Sequence, residues 1–246
     1  MERDRKIALL IDCDNASHQA VDGVLHELAR YGVTNIRRAY GNWKMRQLKG
    51  WEEQLHPYAI QPVQQFAYTQ GKNATDAAMI IDAMDLLYTQ QLDAFALMTS
   101  DSDFTPLVMR ILTNGLTVYG FGEQKTPLPF VNACSQFIYT EHLLATDDAE
   151  TDEAQPDAPC DLKKSRNELR GDTSLVKLLR NAAEQTTGED GWSNLGRVGQ
   201  YISNTASFSP INYGYKKFGD LIRATELFHV EMRHDNKVMY IKDNKK

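Results

Sequence analysis

Ile7-Ala8-Leu9-Leu10-Ile11, followed at once by Asp12-Cys13-Asp14-Asn15, decides how the rest of the chain is read. Five consecutive apolar residues have the length of a strand and lack the alternation of a sheet with one wet face. A second run, Ala94-Phe95-Ala96-Leu97-Met98, stops at Thr99-Ser100-Asp101-Ser102-Asp103. Both fit parallel strands covered on both faces. Residues just past the carboxyl ends of such strands line the crevice where open α/β sheets bind ligands. Carboxylates gathered in one crevice repel each other and resist ionising unless a cation or proton intervenes. Hard divalent cations such as Mg²⁺ and Mn²⁺ take carboxylate and water ligands. The pattern points to a metal-dependent α/β enzyme.

Outward from these runs, the first 145 residues alternate between strand-like and helix-like text. Strands are expected at Lys6–Ile11, Asn35–Tyr40, Gln61–Tyr68, Ala94–Thr99, Thr117–Phe121 and Phe137–Tyr139. Helices are expected near Ala20–Tyr31, Met45–Leu55, Thr75–Thr89, Phe104–Thr113 and Pro129–Cys134. Ala78, Ile81, Met84 and Leu87 recur at helical spacing in the clearest of them. Such alternation predicts a parallel sheet with helices on both faces. The fold class is therefore α/β over 1–145.

The text changes at 146. Asp147-Asp148-Ala149-Glu150-Thr151-Asp152-Glu153-Ala154-Gln155-Pro156 contains no large apolar residue, and 146–171 is expected to be a disordered acidic linker. From about 172 to 246, helices are expected near Leu175–Leu179, Asn194–Ser203 and Tyr215–Leu227. A hairpin should follow, Phe228–Arg233 and Lys237–Ile241, turning at His234-Asp235-Asn236. Three helices and a β wing make a small winged-helix domain.

Charge follows the same division. Residues 1–145 carry 12 Lys/Arg and 16 Asp/Glu, net −4; 146–161 carry seven acids and no base, net −7; 162–246 carry 15 Lys/Arg and 10 Asp/Glu, net +5. A basic module behind an acidic tether points to nucleic acid as a partner. Hydrophobic content of 42% with 24% charge excludes a wholly disordered chain. No stretch reaches the roughly 18 apolar residues of a membrane span, and the charged start Met1-Glu2-Arg3-Asp4-Arg5-Lys6 lacks a signal-peptide core. Cys13, Cys134 and Cys160 show neither CxxC spacing nor a disulfide pattern, as in a reduced cytoplasmic protein. The six His show no metal-ligand spacing, and His18 and His26 are expected on a helix surface.

Each candidate has a structural alternative. Asp12 and Asp101 occupy equivalent places after two strands that can flank the switch point, so their side chains should converge. Asp76 either joins them or merely favours the start of its helix through the dipole. Asp103 either joins them or starts the helix carrying Phe104, Leu107 and Val108; Asp14 is a site or a turn carboxylate. Asn15 caps a helix or orients a water or phosphate oxygen. Lys44 and Arg46, after Trp43, either hold phosphates or lie on a solvated face. In the basic module Tyr215, with Tyr213 and Trp192, lies among Lys216, Lys217 and Arg197: aromatic faces for stacking on bases, cations for phosphates, or simply core.

Residues 6–142 resemble the NYN domain, a branch of the PIN-like nuclease superfamily that includes the LabA-like proteins. The matching text is Leu10-Ile11-Asp12-Cys13-Asp14-Asn15, Lys72-Asn73-Ala74-Thr75-Asp76 with Asp82, Thr99-Ser100-Asp101-Ser102-Asp103-Phe104-Thr105-Pro106-Leu107, and Tyr119-Gly120-Phe121-Gly122. Residues 172–242 are similar to an OST-HTH/LOTUS domain through Gly191-Trp192-Ser193-Asn194-Leu195-Gly196 and Tyr213-Gly214-Tyr215-Lys216-Lys217-Phe218-Gly219-Asp220-Leu221. The resemblance implies metal-dependent cleavage of RNA, with Mg²⁺ or Mn²⁺ at Asp12, Asp76 and Asp101 and with Asp103 and Asn15 in support. Asp82 also matches, but it lies six positions from Asp76, about 240° around the helix, and reads as structural. The second domain implies an RNA or protein partner. Two rivals stay open. Asp12-x-Asp14 also fits a haloacid-dehalogenase-type phosphatase, although Asn15-Ala16-Ser17 continues it poorly and no cap insertion is visible. An RNA-binding adaptor with a decayed metal site is the non-enzyme alternative.

Overall fold

The apolar run that opens the chain becomes the middle of a six-stranded sheet. The structure, a computed structural model, describes residues 4–65, 74–144, 163–233 and 237–244. The chain divides into two compact units, Met1–Thr151 and Asp152–Lys246.

In the first unit the strands are β1 (Lys6–Asp12), β2 (Val33–Gly41), β3 (Gln61–Gln64), β4 (Ala94–Met98), β5 (Thr117–Gly122) and β6 (Gln136–Tyr139). The helices are α1 (Val21–Leu28), α2 (Lys49–Leu55), α3 (Ala74–Thr89), α4 (Thr105–Thr113), α5 (Leu128–Ala133) and α6 (Glu141–Leu144). The strand order is β3-β2-β1-β4-β5-β6 with every pairing parallel. Order reverses between β1 and β4, which pair from Ile7↔Ala94 to Ile11↔Met98. This is the switch point expected between the two apolar runs, and every residue from Ile7 to Ile11 and from Ala94 to Met98 is fully buried.

Right-handed crossovers that run in opposite directions from the switch point must cover opposite faces. Ala8 and Leu10 of β1 and Phe95 and Leu97 of β4 share one core with Met79, Ala83 and Leu86 of α3 and Leu107, Val108 and Ile111 of α4. Ile7, Leu9 and Ile11 alternate to the other face. Asp12 has the parity of Ala8 and Leu10, so it ends the strand on the α3 side. Gly122 lets β5 run close beside β4: a Cβ there would lie 2.6 Å from the Thr99 carbonyl oxygen.

The expected strand over Gln61–Tyr68 is β3 as far as Gln64, and residues 66–68 lie outside the described residues. The expected helix Met45–Leu55 is a 3-10 turn, Arg46–Leu48, leading into α2.

The second unit holds α7 (Arg166–Gly171), α8 (Thr173–Gln185), β7 (Ser193–Asn194), α9 (Leu195–Thr205), α10 (Phe218–Thr225), β8 (Phe228–Arg233) and β9 (Val238–Asp243). The hairpin pairs β8 with β9, and β7 adds a third antiparallel strand on the far side of β9. Two expectations are corrected. The linker assigned to 146–171 ends earlier than its composition implies, because Arg166–Gly171 is helical, with a Ser165/Glu168 capping box and Leu169 fully buried in the core of this unit. The helix expected from Tyr215 starts only at Phe218. Residues 145–162 and the hairpin turn His234-Asp235-Asn236 lie outside the described residues.

Candidate active site

Five aspartates from three segments, Asp12, Asp14, Asp76, Asp101 and Asp103, lie near one another toward the carboxyl edge of the sheet. Asp12, on the last residue of β1, is fully buried. Its carboxylate accepts from Thr99 Oγ1 at 2.8 Å and Asn15 Nδ2 at 2.9 Å, both on Oδ2, and from the Asp14 amide at 3.2 Å on Oδ1. Burial pushes this carboxyl above its ordinary range, while the donors from Asn15 and Thr99 pull it back. A buried carboxylate with three donors is held in one orientation.

Thr99 lies one residue past β4 and is fully buried. Besides donating to Asp12, its hydroxyl accepts from the Asp101 amide at 3.1 Å. One hydroxyl therefore ties the two acidic loops together. Asn15 ties them a second time, since its carbonyl accepts from the Ser100 amide at 3.2 Å. Asn15 does not cap α1; it is exposed, and one hydrogen of its side-chain amide goes to Asp12. Asp101 in turn caps the 3-10 turn Ser102–Phe104, accepting from the Asp103 amide at 2.8 Å. The capping role considered for Asp103 thus belongs to Asp101, and Asp103 stands exposed.

Asp76 sits in the first turn of α3 and is half-buried. Its carboxyl is pushed up to about 6, first by burial and then by the charges of Asp12, Asp101, Asp103 and Asp14. Asp76 thus stands in the first turn of its helix and feels the charge of the other four aspartates. An open groove of about 570 Å³ runs beside them, lined by Asp76, Ala77, Ile80, Ser102, Asp103, Thr105 and Pro106. Asp82 is structural, as read from its helical phase. It pairs with Arg38 and accepts from the Tyr40 hydroxyl, so α3 is pinned to β2 six residues below Asp76.

Among the described residues, no three His, Cys, Asp or Glu side chains are arranged so that they could hold a metal ion. The charges of four other carboxylates nevertheless act on Asp76, so each lies within electrostatic reach of it. The two observations agree if the site is open: Mg²⁺ keeps several waters and is commonly held by one or two carboxylates plus a substrate phosphate. An all-oxygen, all-carboxylate donor set fits such an ion in kind.

Residues 6–144 match the NYN domain family model. The chain belongs to the NYN domain family. Residues 171–240 match the OST-HTH/LOTUS domain. No curated protein matches the chain. A crystal structure of a protein of unknown function from Vibrio parahaemolyticus is similar at 17% identity and a TM-score of 0.47, over 56% of this chain and 94% of that one, and bears on neither fold nor function at that score. Membership of the NYN family leaves the haloacid-dehalogenase reading without support.

Of the expected nucleic-acid contacts, Lys44 and Arg46 are exposed between β2 and α2 of the NYN domain. In the OST-HTH/LOTUS domain Lys216 and Lys217 are exposed just before α10. Tyr215 is a correction. It is buried, its hydroxyl donates to the Lys164 carbonyl at 2.9 Å, and Lys163 lies over its ring at 5.0 Å, so it cannot stack on a base. Tyr213 is half-buried under Lys164, and Trp192 under Arg233. Sequence reading missed Thr99 as a site residue. Its signal was parity, since Thr99 continues the inward alternation of Phe95 and Leu97 toward Asp12. No helix among the described residues is long and apolar enough to cross a membrane.

Proposed function

We propose that this protein is a metal-dependent ribonuclease, with Asp12, Asp76 and Asp101 holding Mg²⁺ or Mn²⁺ and Asp103 beside them. The observation that carries the reading is the convergence of five aspartates on one edge, with Asp76 pushed up to about 6 by burial and by the other four. When bound, such an ion would neutralise charge on a phosphoryl group and acidify water. The chain's own contribution is placement. Thr99 and Asn15 hold the Asp12 carboxylate still, the Asp101 turn presents Asp103, and the groove between α3 and the β4–α4 loop gives a phosphodiester room to lie along the carboxylates. Hydrolysis would form a bond from water oxygen to phosphorus and break the bond to the 3′ oxygen. That oxygen takes a proton, leaving a 5′-phosphate and a 3′-hydroxyl. The OST-HTH/LOTUS domain would recruit RNA, or a protein, through the surface carrying Lys216 and Lys217, in a cytoplasmic protein whose two domains are joined by the acidic segment.

The test is the purified full chain with RNA and DNA oligomers in Mg²⁺ or Mn²⁺, against chelator. Metal-dependent cutting of RNA is the expected result. A second reading, an RNA-binding adaptor, is favoured by the absence of a ready three-ligand set among the described residues. RNA binding with no cutting in either metal would establish it.

A further inference from the structure

A second pocket, of about 330 Å³, is lined by Trp43, Glu52, Leu55, Pro62 and Gln64. Its aromatic wall is fixed from two sides. The Trp43 indole N–H donates to the Val63 carbonyl at 3.2 Å, and its backbone N–H donates to Gln64 Oε1 at 3.1 Å. Gln64 Nε2 is committed to Asn42 Oδ1 at 3.0 Å and to its neighbour's carbonyl, Gln65 O, at 3.1 Å. What the wall still offers a ligand is therefore a half-buried indole, two apolar side chains, a spare lone pair on Gln64 Oε1 and the exposed Glu52 carboxylate.

This set of groups selects against a phosphate, which Glu52 would repel, and for a planar ring that brings N–H donors. Among RNA bases guanine alone offers two adjacent donors, N1–H and N2–H, that match a carboxylate edge-on. The pocket also shares the carboxyl edge of the sheet with the acidic cluster, on the α2 side. Asp12 pairs with Tyr40 across β1 and β2, and Gly41 pairs with Gln64 across β2 and β3, so the Gln64 wall stands two strand spacings, about 10 Å, from Asp12. Unstacked bases of single strands are commonly held by an aromatic face with hydrogen bonds on the Watson–Crick edge.

We propose that the Trp43 pocket is a nucleobase subsite that takes guanine from a single-stranded RNA lying on the acidic edge. It rests on the nuclease reading for the placing of that RNA, and the test separates the two. The full chain, in chelator, is titrated against fluorescently labelled octauridine and the same oligomer carrying one central guanosine, read by anisotropy. The guanosine is expected to tighten binding about tenfold, Glu52→Gln to erase that difference, and Trp43→Ala to weaken the guanosine oligomer about tenfold. Trp43→Phe, which keeps a ring without the bond to Val63, should retain most of the affinity and covers the case in which the alanine variant does not fold. Equal binding of the two oligomers by the wild type, or a guanosine preference that survives Glu52→Gln, overturns the subsite. Wild-type cutting in Mn²⁺ is measured on the same oligomers. A guanosine preference in binding without any cutting would uphold the subsite and sink the nuclease reading alone.

Discussion

Asp76 is a carboxylate whose charge opposes folding. Its folded-state value, pushed up to about 6, lies above the ordinary 3.8, so its contribution to stability is fully present below about pH 4 and is lost as pH rises through 6. At pH 7.5 in chelator, Asp76→Asn should therefore stabilise the protein. The displacement from 3.8 to about 6 sets an upper limit of about 3 kcal/mol; solvent screening of a half-buried group brings the expectation to about 1 kcal/mol. Thermal melts at pH 7.5 and pH 4 check it: the gain should vanish at the lower pH, and a loss at pH 7.5 would mean that Asp76 is paired and not crowded. Chemistry should move the other way. Asp12→Asn and Asp101→Asn are each expected to lower cleavage at least about 100-fold with the circular dichroism spectrum unchanged, because both change charge and little volume. Asp103→Asn should be milder, since its side chain is exposed. Full activity in both of the first two variants would remove the acidic cluster from the mechanism.

At the scale of elements, α3 is the part to test. It carries Asp76 at one end and is pinned to β2 by the half-buried pairing of Asp82 with Arg38 and the Tyr40 hydroxyl. Asp82→Ala leaves Arg38 without that carboxylate and strips the Tyr40 hydroxyl of an acceptor, at a cost of about 2 kcal/mol. The cost should appear in urea unfolding of the NYN domain. Cleavage should fall only through the altered seat of α3, so that Asp82→Asn, which keeps an acceptor for Tyr40, restores much of it. Were Asp82 a metal ligand, the two variants would be equally inactive. In the other domain α7 shows how one side chain can place an element: Leu169 is its sole fully buried residue, and the capping box at Ser165 holds its first turn. Nothing in the apolar period of so short a helix announces it, whereas Ser165-x-x-Glu168 was a readable start signal.

For the whole molecule, the acidic composition of 146–162 predicts that protease cuts there first and releases two folded pieces. Resistance would mean that this segment is covered. Truncation after 162, and not after 171, is the cut that respects the core, since Leu169 belongs to the second domain. That truncation should raise the RNA concentration needed for half-maximal cleavage and leave the saturated rate nearly unchanged, because a tethered binding domain adds effective concentration and no transition-state stabilisation. Lys216→Ala with Lys217→Ala in the full chain should reproduce part of that shift. It should also flatten the log–log salt dependence of binding by about 0.7 for each phosphate that is no longer neutralised. An unchanged concentration dependence in both proteins would favour a protein partner for this domain.

The six-stranded parallel sheet, its switch point, and the aspartates that stand at its edge were legible in the sequence. Unbroken apolar runs can be buried only between two helical layers, and whatever follows such a strand must emerge at its carboxyl end. The structural role of Asp82 was legible too, because helical phase is a local property. Partners distant in sequence were not. That Thr99 donates to a carboxylate 87 positions away, that Asp101 and not Asp103 caps the turn, and that Tyr215 gives its hydroxyl to Lys164 all depend on which backbone approaches which. Hydrogen-bond partners are chosen at ångström scale by the assembled packing, and only the tertiary structure decides them.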